Sequence, residues 1–230
     1  MQQRLGAMAA APLIAGVLGI LIGTGVGMLV SKRSSTPTNS QTETATSMTP
    51  STTTKAADLR VILNALEREH VDLASTAVRR GFDGGADFAA AATALDNNSK
   101  ELAAAVGSVY GEAAQKQFYT IWNSHIGFFV DYTLAAKAGD TAKMAQAVTN
   151  LGGYIDAISD FFSTANPNLP RAAVKELVTD HVMLLKSAVD SYGAKDFATS
   201  YQKQRLANEQ IGKIADAISG AIVKQYPEKF

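Results

Sequence analysis

Three histidines are the side chains of this chain best suited to chemistry, and they recur at a regular interval. His70, His125 and His181 are the only histidines present, separated by 55 and then 56 residues. Each precedes a β-branched aliphatic residue (Val71, Ile126, Val182) and sits on an apolar stripe. The stripes read Leu63, Leu66, His70, Leu73, Ala77; then Phe118, Ile121, His125, Phe128, Tyr132; then Val174, Leu177, His181, Leu184, Ala188. Steps of three or four residues place each set on one helix face. Neutral imidazole suits copper, zinc, iron and nickel, and helical bundles build such sites from facing helices. Acidic residues stand close by. Glu67 is three residues before His70, which makes a Glu-x-x-His pair on one face, and Asp180 directly precedes His181. The expected site is a transition-metal ion, copper or zinc, on His70, His125 and His181, with Glu67 and Asp180 as further ligands.

A plainer reading competes with this one. A single core histidine copied twice gives the same pattern, its nitrogens satisfied by amides on neighbouring helices: Asn97 or Asn98, Asn150 and Asn208. In an open solenoid the three copies also stand a helix-pair spacing apart, too far to share one ion.

Other chemistries find no foothold. The chain has no Cys, which removes disulfides, thiolate metal sites and thiol nucleophiles. Lys plus Arg number 21 and Asp plus Glu 21 in 230 residues, so nothing marks a nucleic-acid surface. No Ser-His-Asp order, phosphate-binding Gly loop or H-E-x-x-H occurs. The carboxylates are dispersed along helix faces, and an enzyme is not expected.

The elements that must position the histidines are helical hairpins. About 15–17 residues after each His comes a turn with an Asp placed to cap the next helix: Gly84-Gly85-Ala86-Asp87, Ala138-Gly139-Asp140 and Gly193-Ala194-Lys195-Asp196. Second helices run through Leu95 and Leu102, Val148 and Ile155, and Leu206 and Ile211. The periodicity predicts six helices, near 56–81, 87–108, 112–138, 141–164, 169–192 and 196–225. The fold class is all-α. Three hairpin repeats, approximately 56–110, 111–166 and 167–226, form a six-helix bundle or a short α-solenoid, because one hairpin cannot bury its apolar face alone.

Ahead of this domain lie two segments of different character. Leu5–Val30 contains no charged residue and, at 1.5 Å per residue, spans about 39 Å as a helix. Residues 1–33 therefore read as an N-terminal transmembrane anchor, with a cleaved signal peptide as the alternative. Residues 34–54 are rich in Ser and Thr and nearly devoid of apolar side chains, a disordered linker. Removing Arg4, Lys32, Arg33 and Glu43 from the totals leaves 18 basic and 20 acidic residues in 55–230, a net charge of −2. The expected location is the cell membrane, single-pass, with residues 55–230 outside the cytoplasm, or secretion if the first segment is cleaved. The partner implied is the membrane itself, not nucleic acid; a cell-surface or protein partner is left open, its identity not given by the sequence.

The stretch Trp122-Asn123-Ser124-His125-Ile126-Gly127-Phe128-Phe129-Val130-Asp131-Tyr132-Thr133, with Glu69-His70-Val71 before it and Pro167-Asn168-Leu169-Pro170 after it, resembles a family of secreted bacterial helical-repeat proteins. Members are often labelled copper amine oxidase-like. The resemblance covers most of 58–230 and implies a helical, extracytoplasmic protein. The enzymatic label does not carry over, since such oxidases use a His-x-His pair in a β-sandwich and no His-x-His occurs here. The reading that results is a membrane-anchored extracytoplasmic binding module holding a metal ion through buried His. Its alternative is a structural or interaction bundle with the His in the core and no ligand.

Overall fold

The computed structural model describes residues 54–230; the anchor and nearly all of the linker expected from the sequence lie outside them. Six helices follow one another: α1 (Lys55–Asp83), α2 (Phe88–Tyr110), α3 (Glu112–Ala138), α4 (Thr141–Ala165), α5 (Arg171–Gly193) and α6 (Phe197–Gln225). There is no strand among the described residues. Nor is any described helix long and apolar enough to cross a membrane.

Local chemistry sets the boundaries. Thr54 opens α1 by accepting the Ala57 N–H at 3.1 Å. Asp140 and Asp196 open α4 and α6 in the same way, accepting from the N–H groups of Lys143 and Thr199. Asp87 departs from that expectation. It makes no capping bond and pairs instead with Arg80 at 3.1 Å across the turn. The α1 and α3 helices end on Gly84 (φ 73°) and Gly139 (φ 69°), left-handed positions that suit a residue without Cβ. After α5 the left-handed position falls on Lys195 (φ 62°), not on a glycine.

The tertiary arrangement is a closed bundle, not an open solenoid. Helices α1, α3 and α5 all contact one another and form the inner triangle. Each second helix fills an outer groove: α2 between α1 and α3, α4 between α3 and α5, and α6 between α5 and α1. The α6–α1 contact brings the last hairpin back onto the first. Arg60 grips Asp216 through two hydrogen bonds of 2.7 Å, and Arg68 donates to the Asn208 side chain at 2.7 Å along the same seam. These pairs are exposed and add little energy. The apolar seam beneath them, in which α1 contributes Leu63 and Val71 and α6 contributes Ala207, Ile211 and Ala215 to one buried cluster, supplies the closure.

Because the inner helices have neighbours on several sides, each buries a face wider than a five-residue stripe. Val71, Trp122, Phe129, Val182 and Leu185 are more buried than the Leu66, Ile121, Phe128, Leu177 and Leu184 of the periodicity. The histidines lie within that widened face, at the centre of the triangle.

Candidate functional site

Closure of the ring decides where equivalent residues end up. His70, His125 and His181 occupy equivalent positions on the three inner helices, and a closed triangle turns equivalent inward positions toward one axis. They meet there: His70 is 1%, His125 3% and His181 5% exposed. The ring centroid of His70 lies 5.3 Å from His125 and 6.5 Å from His181. The solenoid spacing that would have kept them apart does not arise.

Each ring is held differently. The Nδ1–H of His125 donates to the carbonyl of Trp122 one turn earlier, which leaves the Nε2 lone pair of His125 free. That Nε2 faces Nε2 of His70 at 3.4 Å. Tyr154 of α4 stacks on the His125 ring, centroids 4.4 Å apart at 25°. Trp122 tilts against His70 at 4.8 Å. His181 closes no hydrogen bond through either ring nitrogen and is held mainly by packing.

The amides that the duplication reading assigns to the histidines are spent elsewhere. Asn98 donates to the Leu66 carbonyl at 2.9 Å and to Glu69 at 3.0 Å. Asn150 accepts from Gln146, and Asn208 lies on the α1 seam. A further amide, Gln210, is buried on α6. It donates to the Leu177 carbonyl at 3.3 Å. Leu66 and Leu177 each lie four residues before a histidine, so Asn98 and Gln210 are equivalent clamps on α1 and α5. By repeat offset the corresponding position in the middle copy is Tyr154, which packs on His125 instead.

The result is a centre with unspent polar capacity. Among the described residues, six buried side-chain nitrogen or oxygen atoms lack a hydrogen-bond partner. Five of them are Oε2 of Glu67, Nδ1 of His70, Nε1 of Trp122 and both ring nitrogens of His181. An unsatisfied buried group costs about 1–3 kcal/mol, so their concentration in one layer demands a reason.

Burial also governs charge here. Desolvation lowers the pKa of His125 to about 3 and that of His181 to about 4; the Ala207 backbone opposes the drop at His181 without closing a hydrogen bond. His70 falls well below its ordinary value, through burial first and then repulsion from the two other rings. All three are neutral near pH 7, the form that ligates metals. Glu67, 3% exposed, is pushed up to about 8 by burial, so it carries its proton at neutral pH.

The five expected ligands therefore separate. His70, His125, His181 and Glu67 are buried, whereas Asp180 is exposed on α5. It directly precedes His181, and one residue turns a helix by about 100°, which takes its carboxylate out of the centre. Among the described residues no three His, Cys, Asp or Glu side chains are disposed to hold a metal ion together. The preformed part is the His70–His125 pair.

Beside that pair runs an axial cavity between α1, α3 and α5, edged by Leu95 of α2 and Ser200 of α6. Ala74, Ala77, Phe129, Leu185, Ala188 and Val189 wall it, His70 and His125 line it, and Arg79 and Tyr192 stand at its half-exposed rim.

No family model, no curated protein and no solved structure matches this chain. The family resemblance thus rests on the W-x-x-H-I-x-F-F-x-x-Y motif and its two flanking segments alone.

Proposed function

We propose that residues 55–230 are a metal-binding module whose site is the histidine centre, taking copper or zinc on His70, His125 and His181, with Glu67 alongside. The carrying observation is the 3.4 Å between the Nε2 atoms of His70 and His125. That separation is long for an N–H···N hydrogen bond. It matches the edge of a tetrahedron of nitrogens about 2.0–2.1 Å from one ion, which is about 3.4 Å. The Nδ1 bond from His125 to the Trp122 carbonyl is the outer contact that fixes the tautomer of a ligating histidine. His181 completes the set by moving inward, from its 6.5 Å separation toward the 5.3 Å of the preformed pair. Neither of its ring nitrogens closes a hydrogen bond that the movement would break.

The second reading, a structural bundle with no ligand, is favoured by that same displacement of His181 and by the absence of a three-ligand group among the described residues. Thermal unfolding of the purified full chain with and without Cu²⁺ or Zn²⁺, for wild type and His125→Ala, separates the two. An ion at 100 times its dissociation constant adds about 2.7 kcal/mol to wild type alone. If neither metal shifts either protein, the binding reading falls and the three histidines are duplicated core residues.

The module is further read as anchored by residues 1–33 and held outside the cytoplasm. The support is the uncharged run Leu5–Val30 joined to a Ser/Thr-rich segment. Protease added to intact cells should remove the bundle. Survival until lysis reverses the orientation, and a mature chain beginning near residue 31 replaces the anchor with a signal peptide.

A further inference from the structure

The axial cavity exists because of side-chain size, not because of a gap in the helix arrangement. Seven residues after the histidine, copies one and three carry Ala77 and Ala188 where copy two carries Tyr132. Four residues after it, copy one carries Ala74 against Phe129 and Leu185. Large side chains from one copy do not refill what two alanines vacate, and the bore that remains leaves about 40 Å³ for water-sized occupants. Along α1 it extends from His70 to Arg79, about 13 Å at 1.5 Å per residue.

Its lining selects by polarity. Ser75, Ser200 and Tyr192 bring the only hydroxyls. The Ser200 hydroxyl is spent on the Ala188 carbonyl at 2.8 Å, and that of Tyr192 on Asp83 at 2.6 Å. Arg79, the one charged residue at the rim, donates to Gln204 at 2.6 Å and lies 4.1 Å over the Tyr201 ring. Away from the imidazoles at its inner end and the Ser75 hydroxyl, the wall is apolar. Most of the bore therefore gives ordered water too few polar partners, and an ion entering it loses hydration that the wall does not replace. Apolar spaces favour small apolar guests over water.

We propose that the axial cavity admits small uncharged molecules of the dioxygen class to the Nε2 atoms of His70 and His125. The consequence for ligand chemistry rests on the reading of the histidine centre as a metal site. Occupancy of the cavity does not, and it is tested on metal-free protein.

The probe is xenon, followed through the methyl resonances of the full chain in detergent. Xenon should shift the methyls of Ala74, Ala77 and Leu185 with saturable pressure dependence while leaving those of Ile218 and Ile222 in place. Ala188→Leu fills the bore and should abolish the shifts with helical circular dichroism unchanged; Ala77→Val, a smaller change, should weaken them severalfold if the first variant does not fold. Dissolved dioxygen should broaden the same methyls in wild type. Absence of xenon shifts in wild type, or their persistence in a folded filled variant, overturns the inference. Xenon shifts without metal uptake support the cavity and sink the metal reading. Metal uptake without xenon shifts does the reverse.

Discussion

The two ends of the bundle are built from the same repeat and packed in opposite ways. At the end where α1, α3 and α5 begin, Phe118 stacks on Trp122 at 5.3 Å and meets Phe161 and Phe162 at 5.8 and 6.0 Å. A chain of side-chain hydrogen bonds ties the helix ends together there. Buried Asn166 donates to the Tyr110 hydroxyl at 3.0 Å, Tyr110 donates to Gln225 at 3.1 Å, and Gln225 donates to the Ala165 carbonyl at 3.0 Å. At the other end Ala77 and Ala188 leave the axial cavity open as far as the histidines. One end packs aromatic rings on its axis and links its chain ends by hydrogen bonds; the axis beyond the histidine layer is left open. Stability is concentrated at one end of the axis and unspent chemistry in the middle, a division that a uniformly packed core has no cause to make.

The largest effect expected of a single substitution tests the aromatic end. Phe118→Ala should cost about 3–5 kcal/mol in denaturant unfolding, since it empties the centre of an aromatic cluster with no room to collapse. Ala188→Val at the cavity end should cost less than about 1 kcal/mol, because the added methyls enter existing space. Equal costs at both ends erase the contrast.

The next effect is the pH dependence that the histidine layer imposes. Each His has a folded pKa below its ordinary 6.5, so its stabilising contribution is present above pH 6.5 and lost as pH falls toward about 4 and about 3. The slope approaches about 1.4 kcal/mol per pH unit for each ring. Glu67 has the opposite sign. Its folded pKa is raised from 4.5 to about 8, so its contribution is complete below pH 4.5 and lost as pH rises to about 8. Together they place maximal stability at about pH 7. Urea titrations between pH 4 and 9 should show the acid limb steeper than the alkaline one; a flat profile removes the neutral histidine centre.

Glu67→Gln sharpens the same point with a smaller change. It should flatten the decline between pH 6.5 and 8, a difference of up to about 2 kcal/mol, and leave the acid limb intact. An unchanged alkaline limb assigns that titration to another group.

The smallest effect lies in a turn at the cavity end. Lys195 holds φ 62° where the two equivalent turns use Gly84 and Gly139. Lys195→Gly should raise stability by about 1 kcal/mol or less, the left-handed strain being partly offset by the added freedom of the unfolded chain. A loss of stability shows that the Lys195 side chain contributes more than its backbone strain removes.

Helix order, helix limits within a few residues, and the equivalence of the three histidines follow from local rules acting on neighbouring residues. Apolar spacing of three and four, Gly at Gly84 and Gly139, and Asp at Asp140 and Asp196 are read along the chain, and each works within one or two turns. Asp87 shows the limit even there, because a nearby Arg80 competes for it. The convergence of the histidines was not legible. Whether α6 returns to α1 depends on crossing angles summed over six helices, and the same stripes serve a solenoid as well as a ring. The exclusion of Asp180, the clamps from Asn98 and Gln210, the stacking of Tyr154 and the axial cavity all descend from that closure. The sequence by itself determined three equivalent inward imidazoles, and only the tertiary structure decided that inward meant toward one another, because a period specifies a face and closure specifies what the face meets.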